Sequence, residues 1–224
     1  MGRTPGTPRE VVMIAAIIPA HDEAARVEHA VTSLHRQTRP PERILVMSDD
    51  STDATVEVAL HAGAEVLLTV DNRHHRAGAL NQALDTVRME PDDLVLVLDP
   101  GVRLPPGFLA RALAAFQDRN VGAVSARSAA VGGPAALIRW RALEDVHRSF
   151  GRYCDEGPVT GQMRLALDLE AVGWRLCPPL ETEEDAPVPV ERAAPAPVEH
   201  VAPLPVERAA PAPVEAFRAA PAAA

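Results

Sequence analysis

Between Val11 and Ala126 the sequence alternates short apolar runs, rich in β-favouring residues, with segments whose apolar residues recur at helical spacing. Val27, Val31 and Leu34 show the helical spacing of three to four positions. The β-favouring runs are Val11–Pro19, Ile44–Met47, Glu65–Val70, Leu94–Leu98 and Val121–Val124. Almost continuously apolar strands separated by helices are typical of a mostly parallel sheet with helices on both faces. The sequence therefore predicts an α/β fold.

The charge balance argues against nucleic-acid binding. The 224 residues include 22 basic and 31 acidic side chains, a formal net charge of −9, and every basic residue is an arginine. An acidic chain without an arginine-rich run is poorly suited to bind a phosphate backbone.

The two cysteines, Cys154 and Cys177, are too few for a disulfide framework or a tetrahedral zinc site. We therefore predict free thiols and no nucleic-acid partner.

The apolar runs are too short to span a membrane, which takes roughly 20 residues. Val11–Pro19 follows Arg3 and Arg9, as the core of a signal peptide would, but polar residues from His21 onward follow it without a small-residue cleavage site. We interpret this run as a buried first strand. The prediction is a cytoplasmic chain with no transmembrane segment, peripheral to a membrane if a membrane-associated partner binds it.

Carboxylates follow three of the predicted strands directly. The first strand runs into Asp22 and Glu23, the second into Asp49 to Asp53, and the fourth into Asp99. Ligands of such sheets bind beyond the carboxyl ends of the strands. Each acidic residue alone could be a helix N-cap, but the set suits a ligand rich in hydroxyl or N–H groups, or a divalent metal that holds a phosphate.

Five segments that contain these residues match one family in its own order. They are Ile17–Glu23 (IIPAHDE), Gln37-Thr38 with Pro40, Ser48–Thr55 (SDDSTDAT), Arg76–Asn81 (RAGALN) and Val95–Asp99 (VLVLD). Over residues 11–126 the chain thus resembles the family 2 glycosyltransferases, which have the GT-A nucleotide-sugar-binding fold. The resemblance implies transfer of a sugar from a nucleotide diphosphate donor, most simply a UDP-sugar, to an acceptor hydroxyl with inversion.

The same resemblance assigns expected roles to individual residues. Asp49 would contact the base, and Asp22 or Glu23 would lie near the ribose and base. Arg76, in place of the family's usual lysine, would approach the diphosphate, and Asp99 would bind Mg²⁺ or Mn²⁺. A metal and a cation beside a leaving diphosphate offset its developing charge, which fits this chemistry.

Two positions depart from the family pattern. The second carboxylate of the DxD motif is replaced by Gly101, which leaves Asp99 to hold a metal with help from substrate phosphates. In the segment that resembles "lTEDmeLalrL", Gly161 and Gln162 stand at the Glu-Asp positions, where the family carries its catalytic base. A glutamine cannot accept a proton at neutral pH. Neither Asp155 and Glu156 upstream nor Asp168 downstream is a convincing replacement, so the catalytic base is unassigned.

We predict four regions: a flexible N-terminus (1–10), a nucleotide-sugar-binding half (11–126), a shortened acceptor-side half (127–185) and a tail (186–224). The connection between residues 126 and 137 is short for this family, and the family's QxxRW helix and membrane spans have no counterpart. The tail repeats an eight-residue unit, beginning APVPVERA, whose prolines exclude helix and paired strand. It is predicted to be disordered, and either a passive spacer or a ligand for a proline-recognising module.

Two functions from different classes follow. The first is a metal-assisted, inverting glycosyltransferase whose acceptor is unknown. The second is a catalytically inactive nucleotide-sugar-binding or interaction protein that has lost its base and acceptor region. The motifs indicate descent from glycosyltransferases, which favours the first function. Gln162 at the position of the catalytic base favours a protein that no longer catalyses the transfer, which is the second function.

Overall fold

The structure is a computed structural model that describes residues 12–126, 135–157 and 161–180. The predicted N-terminal region 1–10 and the tail 186–224 lie outside the described residues. The strands are β1 (Ile14–Ala20), β2 (Arg43–Ser48), β3 (Glu65–Leu68), β4 (Leu94–Leu98), β5 (Val121–Ala126), β6 (Ala135–Arg139) and β7 (Arg175–Leu180). The helices are α1 (Ala24–His35), α2 (Thr55–His61), α3 (His75–Thr86), α4 (Phe108–Ala115), α5 (Trp140–Phe150) and α6 (Gly161–Ala171).

The seven strands form one sheet in the order β3-β2-β1-β4-β6-β5-β7. β6 runs antiparallel to both of its neighbours, and the other pairs are parallel. All seven residues of β1 are buried, as are all five of β4. The predicted α/β fold, a mostly parallel sheet between helices, is therefore confirmed.

Each face of the sheet carries its own apolar core. Ile14, Ile18 and their neighbours pack with α1, α2 and α4, whereas Ile17 points to the opposite face, toward α3, α5 and α6. Burial on both faces explains why the strand sequences are almost continuously apolar instead of alternating. The side chains that follow β1, β2 and β4 are brought together because these three parallel neighbours end at the same edge.

The five strands predicted from the sequence are all present, with ends shifted by up to three residues. β3 ends at Leu68, two residues before the predicted run does, and the backbone of Val70 is bound instead by the side chain of Gln82. The Val70 N–H donates to Gln82 Oε1, and Gln82 Nε2 donates to the Val70 carbonyl, each at 2.9 Å. Strands β6 and β7 were not predicted. Within the described residues, no helix has the length and apolar character required to cross a membrane.

Candidate functional site

A cleft of about 520 Å³ opens where the loops after β1, β2 and β4 meet the start of α3. Four of the five residues predicted to bind the donor and metal line it. They are Glu23, Asp49, Arg76 and Asp99. A second polar cleft, of about 510 Å³, lies beside it and shares Asp49, so this carboxylate is at the junction of the two.

The fifth predicted residue, Asp22, connects two loops. Its carboxylate accepts hydrogen bonds from the backbone N–H groups of Thr52 (2.7 Å) and Asp53 (3.3 Å) in the loop after β2. In the opposite direction, the carboxylate of Asp53 accepts a hydrogen bond from the N–H of Ala24 at 3.0 Å. The Thr52 hydrogen bond is the main reason that the pKa of Asp22 lies below its ordinary value. Asp22 and Asp53 therefore cap each other's loop and fix the position of Glu23 between them.

Four non-glycine residues around the two clefts have left-handed backbone conformations. They are Asp22, Asp50, Asp71 and His75, with φ between 47° and 51°. Asp and His adopt this conformation more readily than most residues with a Cβ. The four residues mark tight turns in the loops that border the two clefts.

The carboxylate of Asp49 is oriented by residues that follow β3. Its Oδ1 accepts hydrogen bonds from Thr69 Oγ1 and from Asn72 Nδ2, each at 2.8 Å. Asn72 Nδ2 also donates to the His75 carbonyl at 2.8 Å, which links this loop to the start of α3. Both hydrogen bonds to Asp49 are on Oδ1, so Oδ2 is available to an N–H donor. Sequence reasoning missed Thr69 and Asn72, whose position just after β3 was the available signal.

Arg76 and Asp99 form an ion pair inside the cleft. Arg76 Nε donates to Asp99 Oδ1 at 2.8 Å, and Nη2 lies 2.7 Å from the same oxygen. The Nη2 contact lacks hydrogen-bond geometry, and this buried atom has no hydrogen-bond partner among the described residues. The buried Oε2 of Glu23 has none either. Both atoms lie in ion pairs instead, Arg76 Nη2 with Asp99 and Glu23 Oε2 with Arg26 Nε at 3.1 Å. The cleft is therefore lined by two arginine–carboxylate pairs.

The protein alone supplies little to a metal ion. No group of three His, Cys, Asp or Glu side chains in the described part of the chain could hold one. Arg76 contacts only Oδ1 of Asp99, so Oδ2 can fill one coordination position. One carboxylate together with substrate phosphates and water is a common arrangement for Mg²⁺. Asp99 therefore fits a metal that arrives with a diphosphate.

His21 is a cleft residue that sequence reasoning did not assign. Its Nδ1 donates a hydrogen bond to the carbonyl of Asp49, and this bond is the main cause of the raised pKa of the imidazole. The nearby carboxylates, Asp22 first among them, raise the pKa further. A raised pKa favours the cationic form, so His21 adds positive charge to this cleft as the pH falls.

The loop that carries Asp99 is held by the buried side chain of Gln37. Its Nε2 donates to the carbonyls of Leu104 (3.3 Å) and Pro105 (2.9 Å), and its Oε1 accepts from the N–H of Leu109 at 3.1 Å. The Thr38 N–H donates to the Pro106 carbonyl at 2.8 Å. The Gln37-Thr38 pair found in the sequence is therefore a structural tie between the end of α1 and the segment after β4.

The acceptor side offers no free carboxylate at the expected base position. Gly161 and Gln162 form the first turn of α6, and Thr160 lies outside the described residues. Glu156 accepts from Asn81 Nδ2 at 2.9 Å and pairs with His74 at 3.3 Å. Asp168 is buried, and its carboxylate pairs with Arg152 (2.9 Å) and Arg164 (3.0 Å).

Gly78 in α3 leaves room for the loop that orients Asp49. A Cβ at this position would lie 2.0 Å from Asn72 Oδ1. We expect Gly78→Ala to displace Asn72, which loses its hydrogen bond to Asp49, and to weaken binding of UDP, the nucleotide that the sequence implies, about tenfold. Isothermal titration calorimetry measures the change.

Gly157→Ala is the matched control, because a Cβ there would meet no atom closer than 3.6 Å. We expect this variant to bind UDP as the unmodified chain does. Equal UDP affinity in the two variants would show that the loop does not depend on the absence of a side chain at Gly78.

The family model described as glycosyl transferase family 2 matches residues 15–164, which is more than half of the chain. No curated protein matches the sequence. The solved structures that match include three chains with TM-scores above 0.6, all below 25% identity, so this likeness concerns the fold.

The mannosyltransferase PcManGT from Pyrobaculum calidifontis, in complex with GDP-Man and Mn²⁺, has a TM-score of 0.63 and 22% identity, over 77% of this chain and 56% of that chain. Glucosyl-3-phosphoglycerate synthase from Mycobacterium tuberculosis, in complex with Mn²⁺, UDP and phosphoglyceric acid, has a TM-score of 0.62 and 15% identity, over 76% of this chain and 69% of the synthase. TarS from S. aureus has a TM-score of 0.62 and 15% identity, over 75% of this chain and 35% of TarS. The chain thus spans little more than half of the length of the mannosyltransferase.

Proposed function

Because this chain belongs to glycosyl transferase family 2, we propose that it binds a nucleotide-sugar in the 520 Å³ cleft and transfers the sugar to an acceptor hydroxyl. The observation that carries this proposal is that Glu23, Asp49, Arg76 and Asp99 line one cleft at the edge where three parallel strands end. A carboxylate can accept from a ribose hydroxyl or a ring N–H, and a guanidinium can donate to a phosphate oxygen. A nucleoside diphosphate supplies all of these groups.

Asp49 is assigned to the base. Its Oδ2 accepts from a ring N–H, while Thr69 and Asn72 hold the carboxylate through Oδ1. Uracil presents such an N–H at N3 and guanine at N1, and the sequence resemblance favours a UDP-sugar as the donor. Glu23 is assigned to the ribose. Asp22 contributes through the loop that it caps, which keeps Glu23 at the edge of the cleft.

Arg76 and Asp99 are assigned to the diphosphate. Arg76 donates hydrogen bonds to the phosphate oxygens, and Asp99 would hold a divalent metal together with those oxygens. Such a metal supplies positive charge that stabilises the leaving diphosphate. The Mn²⁺ in the mannosyltransferase and synthase structures supports this assignment. Because Asp99 provides one ligand, metal binding is expected to require the nucleotide.

The transfer breaks the bond between the anomeric carbon and the diphosphate oxygen, which leaves with the electron pair. The acceptor oxygen forms the new bond to that carbon from the opposite face, and its proton passes to a base. Gln162 cannot be that base. This specific substitution favours a second candidate function, in which the chain binds the nucleotide-sugar without turning it over.

Titration of UDP-glucose and GDP-mannose, with and without Mn²⁺, tests both candidates. Calorimetry follows binding, and release of UDP or GDP follows turnover. Binding with nucleotide release that depends on added acceptor supports the transferase. Binding without release supports the inactive binding protein, and absence of binding contradicts both.

The double substitution G161E/Q162D distinguishes two causes of low activity, the missing catalytic base and the short connection before β6. If only the base is missing, we expect the double variant to raise the turnover rate while donor affinity stays unchanged. Unchanged turnover would make the short connection before β6 the limiting feature. Asp49→Asn serves as the binding control, since it keeps the size of the side chain and removes its charge.

We further propose that the chain acts in the cytoplasm, and that it is peripheral to a membrane where a membrane-associated partner binds it. The tail of residues 186–224 is proposed as a spacer, with a proline-recognising module as its alternative use. The absence of an arginine-rich run supports the proposal that nucleic acid is not a partner.

A further inference from the structure

Gly101 and Arg26 occupy one corner of the cleft. Gly101 stands where the family pattern has its second carboxylate, and a Cβ built on it would lie 3.6 Å from Arg26 Cδ and 3.7 Å from Arg26 Nη1. Those are ordinary contact distances, so the arginine side chain packs against the position that a longer side chain would fill. An aspartate at residue 101 would place its carboxylate next to the guanidinium.

Arg26 lines the same cleft as Arg76, Asp99 and Gly101. It belongs to the first turn of α1, whose start is fixed by the Asp22–Asp53 loop contacts described above. The two arginines therefore reach one cavity from different helices, Arg26 from α1 and Arg76 from α3. A diphosphate carries several oxygens and can accept hydrogen bonds from both.

The guanidinium of Arg26 is available to a ligand. Its side chain is 64% exposed, and its Nε lies 3.1 Å from Glu23 Oε2. That contact lacks hydrogen-bond geometry, because Glu23 Oε2 has no hydrogen-bond partner in the described part of the chain. The ion pair is made through Nε, whereas Nη1 lies at the Gly101 corner of the cleft. Arg26 can therefore donate to a phosphate through Nη1 while it keeps its pair with Glu23.

We propose that Arg26 is a second cationic contact for the donor's diphosphate, and that it compensates for the carboxylate and metal-binding capacity lost at Gly101. This inference rests on the proposed function of the cleft. Arg26 lies outside the five family motifs found in the sequence, so none of them assigns it a role. The expected consequence is a binding site whose affinity for diphosphate depends less on a divalent metal than a site with two acidic ligands does.

The test measures binding of UDP, and of uridine as a probe without phosphates, by calorimetry in EDTA and in Mn²⁺. We expect Arg26→Ala to weaken UDP binding in EDTA about tenfold and to leave uridine binding unchanged. Arg26→Lys retains the charge and is expected to recover part of the affinity. Arg36→Ala, an exposed arginine at the other end of α1, is the matched control and is expected to bind UDP normally.

Gly101→Asp provides the reverse test. The new carboxylate would pair with Arg26 and offer a second metal ligand, so UDP affinity should fall in EDTA and rise in Mn²⁺. The ratio of the two dissociation constants should therefore increase about tenfold. Unchanged UDP affinity in Arg26→Ala, or an equal loss for uridine, would overturn the assignment of Arg26. If the unmodified chain binds neither UDP nor uridine, the proposed function itself fails.

Discussion

Arg139→Ala is expected to lower the free energy of unfolding by about 3–5 kcal/mol, which is a large part of the stability of an ordinary domain. The side chain is 5% exposed, and its guanidinium donates to the carbonyls of Val121 (3.2 Å), Phe116 (3.0 Å) and Asp118 (3.4 Å). It also lies 5.3 Å from the centre of the Phe116 ring. Truncation leaves these carbonyls without their donor and opens a cavity between α4 and the sheet. Urea unfolding, followed by circular dichroism, measures the loss.

Arg141→Ala is the matched control, because this arginine is two residues away and exposed. Its unfolding free energy is expected to change by no more than about 0.5 kcal/mol. Arg139→Lys is expected to fall between the two, since an ammonium group keeps the charge but cannot reach the same set of carbonyls. Equal stability of Arg139→Ala and Arg141→Ala would contradict the structural role assigned to Arg139.

Arg76→Ala is expected to weaken UDP binding about 10- to 100-fold while the chain stays folded. Two losses combine. The cleft loses a guanidinium that can donate to a phosphate, and Asp99 loses the cation that faces its Oδ1. The unneutralised carboxylate then repels the diphosphate. Calorimetric titration with UDP measures the affinity, and thermal unfolding verifies the fold.

Arg73→Ala controls for a general loss of positive charge, because Arg73 is exposed in the same polar loop and does not line the cleft. It is expected to bind UDP normally. Arg76→Lys is expected to retain part of the affinity through its charge, without the forked geometry of the guanidinium. An equal loss of UDP affinity in Arg73→Ala and Arg76→Ala would show that long-range electrostatic attraction, and not direct contact with the phosphate, explains the effect of Arg76.

The strands that the sequence predicts are those buried on both faces, whose apolar runs stand out from the helices around them. β1 and β4 are the clearest cases. β6 was missed because its residues merge with the apolar start of α5, so no turn residue separates Arg139 from Trp140. β7 contains Pro178 and Pro179, which normally argue against a strand. It tolerates them because it is the last strand in the sheet order.

Part of the candidate site follows from the topology alone. Parallel strands that end at one edge bring their following residues together, so the strand pattern in the sequence is enough to predict that Asp49 and Asp99 lie near each other. The reciprocal capping by Asp22 and Asp53 could not be predicted, since it depends on how the loops after β1 and β2 are positioned relative to each other. The same holds for the contact between Arg26 and Gly101, which joins residues 75 positions apart through packing and not through a sequence motif.

The capped loops at the end of β1 and β2 have a thermodynamic consequence for the ligand. Asp22 and Asp53 fix each other's backbone through hydrogen bonds that exist without any nucleotide. The conformational entropy of these loops is therefore lost when the chain folds and is not lost again when a ligand arrives. A ligand that binds at this edge therefore does not pay again for ordering these loops, and its affinity is reduced only by the other costs of association.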